Sequence, residues 1–257
     1  MQDYSIDLYL IIGLTRESRH WSEQFVQECE NVFKPFSIHF IDLPGTGKLS
    51  SENSPWSISD IVDQAKKHTF FNPKNKKLLV AISLGGMVAW NWVGRYPNDF
   101  DAFIMLNSSL GGLSAPLKRV QPYAFLQFLN IGLFKKGPAR EETILNLTCN
   151  NKALMQEILP KWVNLLKSHP ISFRNTFAQF IAALKFNAKK APKPLIPTYV
   201  IAAKHDRLAH YSCSEDIAHF IKAKLTIIEE KSIGHALHVD GQKILPKILF
   251  DWVSKLF

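Results

Sequence analysis

The stretch Leu79-Val80-Ala81-Ile82-Ser83-Leu84-Gly85-Gly86-Met87 constrains this chain more than any other. An apolar run with strand character stops on a serine. Small residues, Ala81 and Gly85, stand two positions to either side, and a helical segment follows without a linker. Small residues at those places let a strand turn sharply into a helix. Such a turn strains the serine backbone and lifts the hydroxyl above the sheet edge. The helix N-terminus beneath it, with the amide of Leu84, is suited to stabilising developing negative charge. A Gly-rich strand-to-helix turn capped by a serine looks the same locally, so the partners of Ser83 have to decide.

The surrounding pattern is that of repeated strand-helix units. Strand-like runs over 8–12, 36–41, 78–82 and 103–106 alternate with helical spacing over 19–33, 57–67 and 84–96. This alternation predicts an α/β fold with a mostly parallel central sheet flanked by helices. Between 111 and 194 no strand-like run occurs, and helical periodicity is broken by prolines. There Phe173, Phe177, Phe180, Ile181 and Leu184 share one face of a helix beginning near Pro170. Tyr123, Phe125, Phe128 and Leu129 suggest a second. The alternation then resumes: a strand over 198–202, a helix over 215–223, a strand over 225–228 and a last helix over 242–256. The chain therefore reads as a core of 1–110 and 195–257 carrying an all-helical cap or lid, 111–194, inserted after the strand near residue 106.

A chain of 257 residues, 46% hydrophobic and 21% charged, suits one such domain and excludes disordered, collagen-like and coiled-coil classes. No apolar run approaches the ~18–20 residues of a membrane span. The opening seven residues hold neither a basic nor an apolar signal region, which predicts a cytoplasmic protein without a secretion signal. Cys29, Cys149 and Cys213 have neither disulfide nor metal spacing, and no metal or cofactor is expected. The run 43–49 imitates a phosphate-binding loop, but Asp42 stands where its first glycine belongs and Leu49 where its hydroxyl belongs. The net charge of +9 is confined to one segment. Residues 111–194 hold 13 Lys and Arg against three Glu, a net of +10, and the remainder carries −1. That asymmetry fits a solvated face or an acidic partner, and no nucleic-acid motif accompanies it.

A serine needs a base, so the positions of acidic residues and histidines after the insert matter. Asp206 follows directly on the strand over 198–202, and His235 follows the strand over 225–228, just before the last helix. Ser, Asp and His in that order, each past a strand, match the layout in which three side chains meet over the C-terminal edge of a parallel sheet. In that layout His235 accepts the Ser83 proton and Asp206 fixes the imidazole tautomer. His238 is the competing histidine, read at the start of the last helix with Asp240 as its cap. Ser108 and Ser109, after Asn107, read as loop hydrogen-bonding residues near the same edge.

On these residues the chain resembles the α/β-hydrolase esterases with a helical cap, over its full length, and among them the pimeloyl-carrier-protein methyl ester esterases. The resemblance rests on Asp42-Leu43-Pro44-Gly45-Thr46-Gly47, the serine elbow and Gly234-His235. The segment 13–21 is also similar to other proteobacterial hydrolases. Two departures stand out: the His-Gly pair after the first strand is Ile12-Gly13, and the first elbow glycine is Ala81. The resemblance implies a serine hydrolase with an acyl-enzyme on Ser83 and the backbone amides of Leu14 and Leu84 as oxyanion donors. It also implies a carrier-bound acyl methyl ester of the pimeloyl type as substrate, in a biotin-type pathway. Phe125, Phe128 and Phe177 would then line the acyl pocket, and Lys118, Arg119, Lys189 and Lys190 would meet an acidic acyl carrier protein. A thioesterase or a general carboxylesterase or lipase remains open, as does a non-catalytic binding protein on the same fold. The sequence leaves Arg16, Glu17, Arg19 and His20 either pairing with one another or binding a substrate carboxylate.

Overall fold

The computed structural model describes residues 5–33 and 36–257; the first four residues of the opening stretch read above lie outside them. Among the described residues, strands β1 (Ile6–Ile11), β2 (Phe36–Ile41), β3 (Lys76–Ile82), β4 (Ala102–Leu106), β5 (Thr198–Ala203) and β6 (Lys224–Ile228) form one sheet. Their order is β2-β1-β3-β4-β5-β6 and every pairing is parallel. The chain order reverses between β1 and β3, and in open parallel sheets the crevice at such a reversal is where ligands bind.

The period-two alternation of the strands builds a core on each face. Tyr9 and Ile11 of β1, Leu79 and Ala81 of β3, and Phe103 and Met105 of β4 point to one face. There they pack under α2 (Ile58–Lys67), α3 (Leu84–Arg95) and α9 (Ser212–Ile221). Leu8 and Leu10, Leu78 and Val80, and Ile104 and Leu106 point to the other, under α1 (Glu23–Val32) and α11 (Leu245–Val253). Both faces are apolar because both are covered.

Helix starts explain where the structure differs from the sequence reading. The helix expected over 19–33 is a single 3-10 turn, Ser18–His20, followed by α1, because the Ser22 side chain accepts from the Phe25 amide and caps there. The last helix begins at Leu245 rather than 242, with Pro246 in its first turn. The residues before it form a separate short helix, α10 (Leu237–Asp240). Asp240 therefore does not cap the last helix. Between β4 and β5 the regular elements among the described residues are all helices: α4 (Pro116–Arg119), α5 (Pro122–Phe134), α6 (Gly137–Thr148), α7 (Lys152–Ser168) and α8 (Phe173–Lys185). Proline sits in the first turn of α4, α5 and α6, where its missing N–H costs nothing, so these prolines open helices rather than break them. Pro160 lies inside α7, which continues through it. Among the described residues no helix is long and apolar enough to cross a membrane.

Candidate active site

β3 runs into Ser83, and α3 begins at the next residue. Ser83 has φ 58° and ψ −123°, a conformation that a non-glycine residue holds only where its surroundings enforce it. Here the Ser83 N–H donates to the carbonyl of Leu106, and its own carbonyl accepts from the Gly86 N–H and the Ser108 hydroxyl, both at 3.0 Å. The glycines are needed by neighbours. A Cβ on Gly85 would stand 2.7 Å from the Ile11 carbonyl oxygen, and one on Gly13 would stand 3.1 Å from Ser83 Cβ. Gly13 thus brings the loop after β1 against the serine, with Leu14 next in the chain. The loop is held from the insert, since the Thr15 N–H donates to Gln179 Oε1 on α8 at 3.1 Å.

Asp206 and His235 lie on the loops after β5 and β6, each 6% exposed. His235 Nδ1 is 2.7 Å from Asp206 Oδ2. The other carboxylate oxygen accepts the N–H groups of Leu208 and Ala209, at 2.7 and 3.0 Å, which fixes the plane of the carboxylate. Ser83 and His235 face the same cavity of about 1050 Å³. Its walls come from the loop after β1 and from α5, α6, α7 and α8. Among the described residues the Ser83 hydroxyl has no hydrogen bond to His235, and such contacts commonly tighten only around substrate. A serine on a strained elbow and a carboxylate-bound imidazole, opening onto one cavity, are the components that nucleophilic acyl transfer requires.

The model of the alpha/beta hydrolase fold family matches residues 8–242. The chain belongs to the alpha/beta hydrolase family. A pimeloyl-[acyl-carrier protein] methyl ester esterase of Wigglesworthia glossinidia brevipalpis is 36% identical over 107 residues, 41% of this chain; the match spans 37% of that esterase. The monoacylglycerol lipase ABHD6 of Homo sapiens is 23% identical over 239 residues, 87% of this chain and 70% of the lipase. Among solved structures, an esterase from Exiguobacterium antarcticum superposes with a TM-score of 0.75 at 14% identity, covering 98% of this chain and 92% of that one.

Several residues that organise this candidate site carry no motif. Asn107, buried with φ 37°, donates from Nδ2 to the carbonyls of Gly234 and His235 at 3.0 and 2.8 Å. Its Oδ1 accepts from the Ala203 N–H. One side chain thus ties the loop of His235 to the strand that precedes Asp206. Asp240 accepts from the N–H groups of Gly234 and Asn150, both at 2.8 Å, which joins the same loop to the α6–α7 junction. Burial raises its pKa even against these amide bonds. Asn150 in turn donates to the carbonyls of His205 and Ile233. Asparagine is among the few residues that tolerate the left-handed backbone Asn107 adopts directly after β4.

His238 also lines the cavity but is engaged elsewhere. Its Nε2 bonds the His20 carbonyl at 3.1 Å, so that nitrogen carries a proton as donor, and burial pushes the imidazole pKa down to about 3. It stays neutral and packs edge-on against Trp21. The charged loop pairs internally and with the insert. Arg19 holds Glu17 bidentately, Arg16 donates to the buried Glu141 of α6 at 2.9 Å, and the Arg16 guanidinium lies 4.7 Å over the Trp162 ring. His20 stands edge-on to that ring.

Phe125, Phe128 and Phe177 line the cavity. Lys118, Lys189 and Lys190 are exposed outside it. Arg119 is no part of a cationic docking face: it is half-buried, donates to the Ala183 carbonyl of α8 at 3.1 Å, and its pKa is lowered by burial. Its guanidinium lies against Gly111 and braces α4 on α8, which a charge count along the chain does not reveal. Among the described residues no His, Cys, Asp and Glu cluster is arranged to hold a metal ion.

Proposed function

We propose that this ester hydrolase works through an acyl-enzyme on Ser83. Ser83 Oγ attacks the ester carbonyl while His235 Nε2 takes its proton. Asp206, bonded to Nδ1, holds the imidazole in that tautomer and stabilises it once protonated. The negative oxygen of the tetrahedral intermediate is received by the N–H groups of Leu14 and Leu84, the latter in the first turn of α3 where helical N–H groups are free. The imidazolium then returns the proton to the leaving alcohol, and a water activated by the same imidazole releases the acid. Donors on the backbone make the missing histidine of the first loop, Ile12, immaterial to the hole. The observation that carries this reading is the 2.7 Å Asp206–His235 pair, whose imidazole faces the same cavity as the strained serine.

The cavity supports a reading of the substrate class. Its walls are mostly aliphatic and aromatic, and at about 1050 Å³ it has room for an extended acyl chain. The similarity to a pimeloyl-carrier-protein esterase and the exposed Lys118, Lys189 and Lys190 support a carrier-bound acyl methyl ester. The lipase relative and the apolar walls support a free lipid ester as the second reading. A series of p-nitrophenyl esters from acetate to decanoate tests the proposal. kcat/KM is expected to rise by roughly 10-fold or more from acetate to the medium chains as each buried methylene adds to binding. A series in which acetate is best overturns the acyl-cavity reading, and inactivity toward every one of these esters and toward a carrier-bound acyl methyl ester overturns the acyl-enzyme reading.

A further inference from the structure

The mouth of the cavity is bordered by side chains that both line it and stand in water, among them Leu117, Phe125, Leu126, Leu129, Phe173 and Leu184. Leu126 is 61% exposed and Phe173 82%. α5, whose sequence is PYAFLQFLNIGLF, holds no charged residue. It nevertheless leaves Tyr123 and Phe134 outside the cavity, 55% and 77% exposed. An exposed apolar patch continuous with a ligand cavity marks a surface that meets something apolar.

Charge identifies what that is. Exposed Lys118 precedes α5, Lys135 and Lys136 follow it, and exposed Lys185 ends α8 beside Leu184. No carboxylate occurs between Asp101 and Glu141 or between Glu157 and Asp206, the stretches that supply α5 and α8. An exposed apolar helix face flanked by lysines, with no carboxylate among them, suits an anionic bilayer surface, which offers acyl chains to the apolar side chains and headgroups to the lysines. A carrier protein docking through charge alone would leave the apolar rim in water. A bilayer covers the rim and neutralises the lysines together.

We infer that the exposed face of α5, with the rim of α8, docks on an anionic lipid bilayer and opens the Ser83 cavity onto it. Acyl chains then enter the cavity from the membrane without crossing water. The docking face stands independently of the chemistry at Ser83; only the delivery of substrate rests on the acyl-enzyme reading with a free lipid ester as substrate.

Co-sedimentation with vesicles tests this without any turnover. Vesicles of phosphatidylcholine with a minor share of phosphatidylglycerol are expected to bind the protein at least ~10-fold more tightly than phosphatidylcholine alone, since each lysine near an anionic surface contributes roughly 5-fold. The pair Tyr123→Asp and Phe134→Asp, outside the cavity walls, is expected to weaken binding by ~10-fold or more. The pair Lys135→Gln and Lys136→Gln is expected to abolish most of the preference for anionic vesicles, with thermal melts reporting that each variant is folded. No sedimentation with either vesicle, equal binding to both, or binding unaffected by both pairs overturns the proposal. So does binding of an acidic acyl carrier protein by a chain that ignores vesicles. Turnover of p-nitrophenyl esters without lipid, measured in parallel, separates failure of docking from failure of the acyl-enzyme reading.

Discussion

Replacing Ser83 by alanine is expected to lower ester turnover by a factor on the order of 10⁴–10⁶, leaving the melting temperature close to wild type or higher. The hydroxyl is the attacking atom in the proposed mechanism, and no other side chain at the elbow replaces it. Ser108 lies nearby, yet its hydroxyl donates to the Ser83 and Leu106 carbonyls and is fully engaged there. Asp206→Asn is expected to cost about 10⁴ in kcat through a different route. The loop N–H groups of Leu208 and Ala209 hold one side-chain oxygen as an acceptor. The amide NH2 would then face His235 Nδ1, forcing the proton to Nε2 and removing the base. Steady-state rates of the two variants on a p-nitrophenyl ester check this. A fall of less than 10-fold in either variant contradicts the assigned roles.

Gly85→Ala is expected to reduce kcat by roughly 100-fold and to destabilise the protein by about 1–3 kcal/mol, although residue 85 touches no substrate. A Cβ there meets the carbonyl oxygens of Ile11 and Ile12 at 2.7 and 2.8 Å. These are backbone atoms at the end of β1, so either α3 lifts off the sheet or the end of β1 shifts. Both movements separate the Leu84 N–H from the Leu14 N–H and misplace Ser83 between them. Gly132→Ala provides the contrast. Gly132 lies within α5 with nothing within 4 Å of its would-be Cβ, so the change is expected to stabilise by up to about 1 kcal/mol through helix propensity. Denaturant melts and kcat for both variants measure the difference. Equal behaviour of the two glycines would show that the close approach of α3 to β1 does not hold the site.

The sheet and the elbow were legible in the sequence for a common reason: they are dictated by neighbours in the chain. Alternating apolar residues that are buried on both faces leave a signal in every strand, and the small residues flanking Ser83 answer a local steric need. The insert was less legible. Prolines at 116, 122 and 138 read as breaks because a proline that starts a helix and one that ends it look alike until the following turn is known. No individual helix was read over 137–168, where α6 and α7 lie. The scaffold around His235 was invisible in principle: Asn107, Asn150 and Asp240 act over separations of 90 residues or more in several of their bonds. Arg119 shows the reverse error, in which a charge counted as surface is spent on the carbonyl of Ala183.

The central claim, a covalent intermediate on Ser83, is tested most directly by acid-quenching the protein during turnover of a p-nitrophenyl ester and weighing its peptides. The account predicts a peptide containing Ser83 heavier by the acyl group, absent in Ser83→Ala and enriched when deacylation is slowed. An acyl mass on any other residue, or release of p-nitrophenol with no acylated peptide in a variant whose deacylation is slowed, would contradict it.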